Sequence, residues 1–378
     1  MSGVRYVNFA RFAERYGDEL HAAFARVLAS GTYVGGPEVA EFERAFAAQC
    51  GTAYAVGVAS GLDALMLTLR AWEIGPGDEV IVPANTAVQT ALAVTHAGAR
   101  VVLADVEPET GLLDLSAAEA AITPRTRAIV PVHLYGHPVD MEPLNALAAR
   151  AGIRVLEDAA HAHGARYRGR PCGSLADAAA FSFYPTKNLG ALGDAGCVTT
   201  NDDALGAQLR LLRTCGLTTN YVHEVQGFTS RLDPLQAAVL RWKLTHLESW
   251  NTRRRELARL YCDELANLPE LTLPVVRPWA APVWHAFPVL VKDGLRDALQ
   301  AALTDAGIET NVHYRLPVHL QPAYADAGWH AGEFPVSEER ARSLLSLPLD
   351  PFHTGEEIEQ VIAAVRSALA TRVCATAR

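Results

Sequence analysis

Apolar and polar residues recur along this chain with two periods, one typical of strands and one typical of helices. Seven short apolar runs predict strands, namely Ala53–Ala59, Glu79–Val82, Arg100–Val106, Thr126–Leu134, Ile153–Glu157, Ala178–Phe183 and Gly196–Thr200. Helical spacing fills most of the gaps between these runs, for example in Ser116–Ile122 and Met141–Ala151. This alternation predicts an α/β fold in which helices cover both faces of a mainly parallel, seven-stranded sheet.

The last third of the chain has a different pattern. A helical pattern rich in arginine and leucine runs from about Pro234 to Leu265, and strand patterns follow near Trp284–Val291 and Thr310–Val312. We therefore predict a large domain of residues 1–245 and a smaller α+β domain of residues 246–378.

Composition narrows the class of protein. The chain has 378 residues, half of them hydrophobic and a fifth charged, which is ordinary for a soluble globular enzyme. A net charge of −9 argues against a nucleic-acid surface. The six cysteines form no C-x-x-C pair, which favours reduced thiols in the cytoplasm. No signal peptide and no membrane span is apparent, so we expect a cytoplasmic protein with neither membrane nor nucleic-acid partners.

Lys187 is the strongest candidate for chemistry. It lies in Pro185-Thr-Lys-Asn188, between a strand-like run and a glycine-rich turn, with the hydroxyl of Ser182 five residues earlier. A buried lysine has a lowered pKa and can form a Schiff base with an aldehyde cofactor. Taken alone, the same position is more typical of a solvated lysine at the tip of a loop.

Asp158 ends the apolar run Ile153–Glu157. Because functional groups of open α/β sheets lie at the carboxyl ends of the strands, Asp158 would face the ligand crevice. Pyridoxal phosphate requires a carboxylate that keeps its pyridine nitrogen protonated, and Asp158 suits that role. The alternative reading of this residue alone is a helix N-cap.

A helix start near Gly61 supplies a phosphate site. Leu62, Leu65, Met66 and Leu69 fall at helical spacing, so the helix begins just after the strand predicted at Ala53–Ala59. Its free N–H groups attract an anion, and glycine allows the anion to approach closely.

Several segments together carry a family resemblance. The stretches SGLDAL, EDAAHAHGA, FSFYPTKNLGALGDAG, SRLDPLQAAVL and GIETNVHYRLPVHLQPAY resemble the DegT/DnrJ/EryC1/StrS sugar aminotransferases, from about Val7 to about Val365. These are pyridoxal-phosphate enzymes with the aspartate-aminotransferase fold, the type I fold of such transferases. The resemblance implies that Lys187 holds the cofactor covalently and that Asp158 pairs with its pyridine nitrogen. It also implies that Ser60, Gly61, Leu62 and Ser182 hold the phosphate.

The same resemblance implies a substrate side of the site and a second subunit. Asn188, Arg231, His313 and Tyr314 are expected to bind substrate, although Tyr314 could simply be a half-buried tyrosine of the small domain. A homodimer with composite active sites is expected, because the family's segment matching Thr229 and Arg231 reaches into the neighbouring subunit. We predict no metal, because the spacing of His133, His137, His161 and His163 repeats no helical face.

The chain departs from the family's pattern at three positions of the cofactor site. His161 replaces a glutamine that contacts the cofactor's phenolic oxygen; imidazole can donate the same hydrogen bond but can also titrate near neutral pH. Ala87 replaces an aromatic ring that stacks on the pyridine, and Thr229 replaces the asparagine that reaches the partner's phosphate.

The motif forms GLDAL and SRLDPLQAA resemble the C3-aminating members most closely. The expected reaction is transfer of an amino group from glutamate or glutamine to a nucleoside-diphosphate-linked 3-keto-6-deoxyhexose, most simply a dTDP sugar. Amination of a keto-inositol is an alternative that the sequence leaves open. A keto-deoxysugar dehydratase is disfavoured, because the related dehydratase has histidine in place of the lysine. The intact Lys187, Asp158 and Ser182 likewise disfavour a non-catalytic regulator.

Overall fold

The structure is a computed structural model that describes residues 3–219 and 221–376, with side chains described through residue 370. The helices are α1 Phe9–Ser30, α2 Pro37–Cys50, α3 Gly61–Ala71, α4 Val88–Ala97, α5 Leu115–Ala120, α6 Met141–Ala151, α7 Asp203–Leu212, α8 Pro234–Leu244, α9 Leu247–Leu265, α10 Arg296–Asp305, α11 Pro335–Ser343 and α12 Gly355–Thr376. The strands are β1 Tyr54–Val58, β2 Glu79–Pro83, β3 Arg100–Ala104, β4 Thr126–Ile129, β5 Arg154–Asp158, β6 Arg166–Tyr167, β7 Arg170–Pro171, β8 Ala178–Ser182, β9 Gly196–Thr200, β10 Leu271–Thr272, β11 Ala280–Ala281, β12 Phe287–Val291 and β13 Leu344–Leu347.

A seven-stranded sheet forms the centre of the molecule, in the order β1-β9-β8-β5-β4-β2-β3. Only β9 runs antiparallel to its neighbours, so the carboxyl ends of the other six strands meet at one edge. The predicted α/β class and the mainly parallel seven-stranded sheet are confirmed.

Both faces of this sheet are buried, as the continuous apolar runs require. Along β2, Val80 and Val82 pack into one hydrophobic cluster and Ile81 into the other. Helices α3, α4 and α7 contribute to the cluster of Val80, whereas α2 and α6 contribute to that of Ile81. Residues of β2 alternate between the two clusters because successive side chains of a strand point to opposite faces.

Two predicted strands and one predicted helix differ from the structure. The run Thr126–Leu134 ends as a strand at Ile129, just before Pro131, which has no N–H to continue the ladder. Near Thr310–Val312 only a single bridge forms, between Asn311 and Ser346. The small sheet, β10-β12-β13, instead uses Leu344–Leu347, which the sequence analysis missed.

The long helical pattern from Pro234 to Leu265 is broken between α8 and α9. The N–H of Thr245 bonds to Trp242 O and that of His246 to Lys243 O, so the backbone tightens to i→i−3 bonds at the junction. The His246 ring stacks on Trp250, with ring centroids 5.5 Å apart, and this contact accompanies the break.

The division into residues 1–245 and 246–378 stays a prediction. The proposed boundary falls at the break between α8 and α9. Val4, which belongs to the predicted large domain, nevertheless forms a β-bridge with Ile308 of the predicted smaller domain. Among the described residues, no helix is both long enough and apolar enough to cross a membrane.

Glu157 on β5 connects the segment around His133 to the segment Gly173–Leu175 through hydrogen bonds. Its side chain is fully buried and accepts hydrogen bonds from the N–H groups of Gly173 (2.8 Å) and Leu175 (2.7 Å) and from His133 Nε2 (2.9 Å). His133 Nδ1 accepts from the main-chain N–H of Val139, so the ring proton is on Nε2 and is donated to the carboxylate.

Replacing Glu157 with leucine leaves these three buried donors unpaired. Each unpaired donor costs about 1–3 kcal/mol, so we expect the free energy of unfolding to fall by about 3 kcal/mol or more in urea titrations. Glu119→Ala removes an exposed ion pair with Arg150 and should change the free energy of unfolding by less than about 1 kcal/mol. Equal stabilities for the two variants would contradict this role of Glu157.

Candidate active site

The carboxyl ends of β1, β5 and β8 and the first turns of α3 and α4 enclose a cavity of about 330 Å³. Most of the residues predicted for the site line it: Ser60, Gly61, Leu62, Ala87, Asp158, His161, Ser182, Lys187, His313 and Tyr314. Residues far apart in sequence meet here because parallel strands end at a common edge.

Lys187 lies in the tight turn that follows β8. Its main-chain N–H bonds to Tyr184 O, and the turn then closes so tightly that a Cβ on Gly190 would lie 2.3 Å from Pro185 O. Burial lowers the pKa of the Lys187 ammonium to about 8, while the nearby Asp158 opposes this shift. Lys187 is therefore an amine with a substantial neutral fraction near physiological pH, as a nucleophile toward an aldehyde must be.

Asp158 ends β5 with its carboxylate held from two sides. Oδ2 accepts a hydrogen bond from Thr90 Oγ1 (2.8 Å), and Oδ1 accepts one from the N–H of Ala160 (3.1 Å). Burial raises the pKa of Asp158, and these hydrogen bonds and the charge of Lys187 act in the opposite direction. A cationic ring nitrogen beside the carboxylate would favour its ionised form in the same way as Lys187 does.

The phosphate loop is closely packed around glycines. Ser60 caps α3, its Oγ accepting from the N–H of Asp63 at 3.0 Å. A Cβ on Gly61 would lie 2.6 Å from Ser182 Cβ, and one on Gly196 would lie 2.2 Å from Ser60 O. The N-terminus of α3 and the Ser182 hydroxyl form a cradle, and the glycines, which have no side chains, leave room in it for a phosphate group.

The residues at this edge therefore fit pyridoxal phosphate as a whole. The cradle at α3 suits its phosphate, the carboxylate of Asp158 suits its ring nitrogen, and the amine of Lys187 suits its aldehyde. Ala87, the N-cap of α4, lines the same cavity with only a methyl group, so no aromatic ring stands at that position.

His161 and His285 stack in the cavity wall, with ring centroids 4.2 Å apart and planes inclined by 29°. Burial lowers the pKa of each well below 6.5, and the charge of Lys187 lowers both further. His161 therefore remains neutral at physiological pH, which corrects the expectation that it could titrate there. His285 was not anticipated, because a single histidine at the start of a predicted strand gives no signal of a site.

His313 and Tyr314, from the segment that follows α10, also line the cavity. His313 Nδ1 lies 2.9 Å from Ser346 Oγ, and its main-chain O accepts a hydrogen bond from the hydroxyl of Tyr135. Burial lowers the pKa of His313 to about 4 and raises that of Tyr314. Both residues thus face the ligand space in uncharged form.

Three predicted substrate or cofactor residues do not line this cavity. Asn188 is buried, with its side chain bonded to Asn251, His285 and Val283 O. Thr229 is exposed and lies 3.1 Å from Cys215 Sγ through its Oγ1, and Arg231 makes no ion pair or hydrogen bond within the described part of the chain. Their assigned roles stay predictions.

Several cavity residues besides His285 were not anticipated from the sequence. Thr86, two residues before α4, and Thr90, in the first turn of α4, have hydroxyls 3.1 Å from each other, and Thr90 donates to Asp158. Tyr184, Thr186 and Asp194 also line the cavity. Tyr184, Thr186 and Asp194 lie in the sequence segment around Lys187, and this position was the signal that could have identified them. The two threonines could be identified only from where α4 begins, at Val88.

His133, Glu157 and Cys172 place one potential metal-ligating atom each within 4.8 Å of one another. The two nitrogens of His133 and both oxygens of Glu157 are already engaged in hydrogen bonds. Burial also raises the pKa of the Cys172 thiol, which disfavours the thiolate a metal would bind. His133 and Glu157 therefore form a buried hydrogen-bonded pair, and the Cys172 thiol lies beside it.

The fold and the cavity together define a pyridoxal-phosphate-dependent transferase. The chain matches the profile of the DegT/DnrJ/EryC1/StrS aminotransferase family over residues 14–366 and belongs to that family. The expected resemblance, the enzyme class and the family's cofactor, pyridoxal phosphate, are thereby confirmed.

The similarity to known proteins covers nearly the whole chain. It is 52% identical to the erythromycin biosynthesis sensory transduction protein EryC1 of Saccharopolyspora erythraea, over 92% of this chain and 95% of the relative. It is 51% identical to the dTDP-3-amino-3,4,6-trideoxy-alpha-D-glucose transaminase of Streptomyces venezuelae, over 96% and 95%. The crystal structure of DesV from S. venezuelae superimposes with a TM-score of 0.96, at 50% identity, over 98% of this chain and 99% of DesV.

The lowered pKa of Lys187 can be measured directly in protein stripped of cofactor. We expect the rate at which an amine-selective reagent labels Lys187 to rise with pH around a midpoint of about 8, because only the neutral amine reacts. Asp158→Asn removes a charge that favours the ammonium, so this midpoint should fall. Peptide mass spectrometry measures both, with exposed Lys292 as internal standard. An unchanged midpoint in the variant would contradict the coupling.

Proposed function

We propose that this protein transfers an amino group from L-glutamate or glutamine to a nucleoside-diphosphate-linked keto-deoxysugar, most simply a dTDP-3-keto-6-deoxyhexose. The single observation that carries the proposal is the meeting of Lys187, Asp158 and the α3 phosphate cradle in one cavity. The similarity to the S. venezuelae dTDP-sugar transaminase supports the substrate class.

The roles of the chain's own groups follow from their surroundings. Bound pyridoxal phosphate supplies an aldehyde that carries the amino group and a ring that accepts electrons when a proton leaves carbon. Lys187 Nζ, with its pKa lowered to about 8, can take the proton from the donor's Cα, and in the return half-reaction it can give a proton to the sugar carbon that receives the amino group. Asp158 keeps the proton on the ring nitrogen, and the N-terminus of α3 with Ser182 binds the phosphate.

His161 is proposed to donate to the cofactor's phenolic oxygen. Its Nδ1 accepts the main-chain N–H of Tyr135 at 3.2 Å, so the ring proton is on Nε2. A neutral Nε2–H donor offers the hydrogen bond that a glutamine amide offers in relatives. His161 thereby replaces the amide without adding a charge.

Mixing the purified holoprotein with ¹⁵N-glutamate and dTDP-3-keto-6-deoxyhexoses tests the proposal. We expect a ¹⁵N-labelled amino sugar by mass spectrometry, and a loss of about a thousandfold or more in Lys187→Ala, because that variant lacks the amine that moves the proton. Lys292→Ala, at an exposed lysine, should keep the wild-type rate.

Two results would count against this function. Wild-type turnover by Lys187→Ala would remove the role of the lysine. Amination of a keto-inositol in place of every nucleotide sugar would move the protein to the alternative substrate class.

A homodimer with composite active sites is part of the proposal. The loop that leads to Thr229 carries exposed apolar side chains, with Tyr221 91% and Val222 54% accessible, which is typical of a surface that another chain covers. Arg231, without a partner among the described residues, would supply a cation to the neighbouring site's anionic substrate.

A cytoplasmic location is likewise proposed. The five cysteines in the described part of the chain are free thiols, which accords with a reducing compartment.

Mixed dimers test the composite site. We expect Lys187→Ala and Arg231→Ala each to be impaired alone, but coexpression to restore about a quarter of the wild-type rate, because each heterodimer would contain one intact site. Coexpression of Lys187→Ala with Asp158→Asn is the control that restores nothing, since both residues act in the same subunit's site. The absence of recovery with Arg231→Ala would contradict the composite site and leave the transaminase assignment standing.

A further inference from the structure

The stacked imidazoles of His161 and His285 carry opposite tautomers, one set by a main-chain N–H and the other by the side-chain amide of Asn188. At His161, the N–H of Tyr135 donates to Nδ1. Because a main-chain N–H can only donate, Nδ1 has no proton and Nε2 carries it. His161 thus has one free polar group, and this group is a hydrogen-bond donor.

The amide of Asn188 determines the state of His285. Asn188 Nδ2 lies 2.9 Å from Val283 O and 2.9 Å from Asn251 Oδ1. Since a main-chain carbonyl can only accept, the atom facing Val283 must be the amide nitrogen, and the other atom is the carbonyl oxygen. Asn251 is oriented by the same logic, because its Nδ2 donates to His163 O at 2.8 Å.

His285 Nδ1 lies 3.3 Å from that amide oxygen of Asn188. An oxygen acceptor requires a proton on Nδ1, so Nε2 of the neutral ring carries a lone pair. Burial lowers the pKa of His285 well below 6.5, which keeps this lone pair free at physiological pH. Within the described residues Nε2 has no hydrogen-bond partner, and the residue lines the cavity.

A lone-pair acceptor selects among the polar groups that an entering substrate can present. Carbonyl, phosphate and carboxylate oxygens only accept, so they gain nothing from Nε2. An ammonium could also donate, but a keto-sugar carries none before it is aminated. The remaining donor class on a hexose is the hydroxyl group.

We propose that His285 Nε2 accepts a hydrogen bond from a sugar hydroxyl beside the carbonyl that is aminated, and that Asn188 is the positioning residue that holds His285 in this tautomer. The inference rests on the proposed transfer to a keto-sugar. The hydroxyl is placed beside the reacting carbon because His285 and Lys187 line the same cavity, close enough for the charge of Lys187 to lower the pKa of His285, and Lys187 Nζ must reach that carbon. Asn188 thus acts on substrate through His285, which explains why its own side chain does not line the cavity.

Nitrogen NMR of holoprotein with ¹⁵N-labelled histidine tests the tautomer without turnover. We expect His285 to show a protonated Nδ1 and an unprotonated Nε2, and the Nε2 signal to shift when a dTDP-linked 3-amino-6-deoxyhexose is added. The signal is assigned by its absence in His285→Phe. A protonated Nε2, or an Nε2 signal that the added sugar leaves unmoved, would overturn the proposal.

Two substitutions of Asn188 separate positioning from packing. Asn188→Asp and Asn188→Leu both lose the hydrogen bonds to Asn251 and Val283, but only the aspartate keeps an oxygen acceptor for His285 Nδ1. The expected NMR result is a retained Nδ1–H tautomer in Asn188→Asp and a mixture of tautomers in Asn188→Leu. The same tautomer state in both variants would show that Asn188 does not set it.

Kinetics with matched sugars tests the contact itself. Wild-type protein and His285→Phe, which keeps a ring to stack on His161, are compared on 3-keto-sugars with and without the hydroxyl at C2 or C4. We expect the preference in kcat/KM for one of these hydroxyls to fall about tenfold in the variant, with cofactor absorbance retained. His246→Phe, the same change on a ring stacked outside the cavity, should leave the preference unchanged.

The outcomes distinguish the two proposals. An unchanged preference in His285→Phe would reject the hydroxyl contact while transamination stands. A wild-type protein that aminates no keto-sugar would reject the proposed function, and the NMR response of His285 to the bound nucleotide sugar would still decide whether Nε2 accepts a hydrogen bond.

Discussion

The insertion of β9 between β1 and β8 is the constraint on which the candidate site depends. Its register pairs Gly196 with Val58 on one side and with Ser182 on the other, so three backbones meet at the edge where the phosphate cradle forms. A Cβ at Gly196 would clash with the carbonyl oxygen of Ser60, and a Cβ at Gly61 would clash with the side chain of Ser182. The anion site is therefore built from closely approaching main chain, and its dimensions are set by strand pairing more than by any functional side chain.

Much of this arrangement could be predicted from the sequence, because local patterns specify it. Apolar runs of strand length gave the seven strands, and the parallel sheet then placed Asp158, Ser182 and the start of α3 at a common edge. Lys187 follows from the same logic, since its turn begins where β8 ends. The small sheet was harder to predict: β13 is only four residues long and directly follows the polar helix α11, so the strand has little periodicity of its own.

The remaining differences arise from contacts between residues far apart in the chain. Nothing near His285 indicates that Asn188, 97 positions earlier, supplies the acceptor for its ring. The family resemblance implies that Asn188 binds substrate, yet two carbonyl acceptors, Val283 O and Asn251 Oδ1, hold its amide inside the protein. The direction in which a side chain points depends on tertiary hydrogen bonds, which sequence periodicity does not encode.

The burial of the histidines at this site has a consequence for its charge. His161, His163, His285 and His313 all lie near Lys187, and burial lowers the pKa of each, to about 3 for His163 and about 4 for His313. Imidazole is the side chain from which pH sensitivity between pH 5 and 8 is normally expected. Here the three imidazoles that line the cavity, His161, His285 and His313, contribute shape and hydrogen-bond polarity without contributing charge. The histidines thus leave the electrostatic field of the cavity unchanged on modest acidification, and Lys187, with a pKa of about 8, is the cavity residue whose charge responds to pH near neutrality.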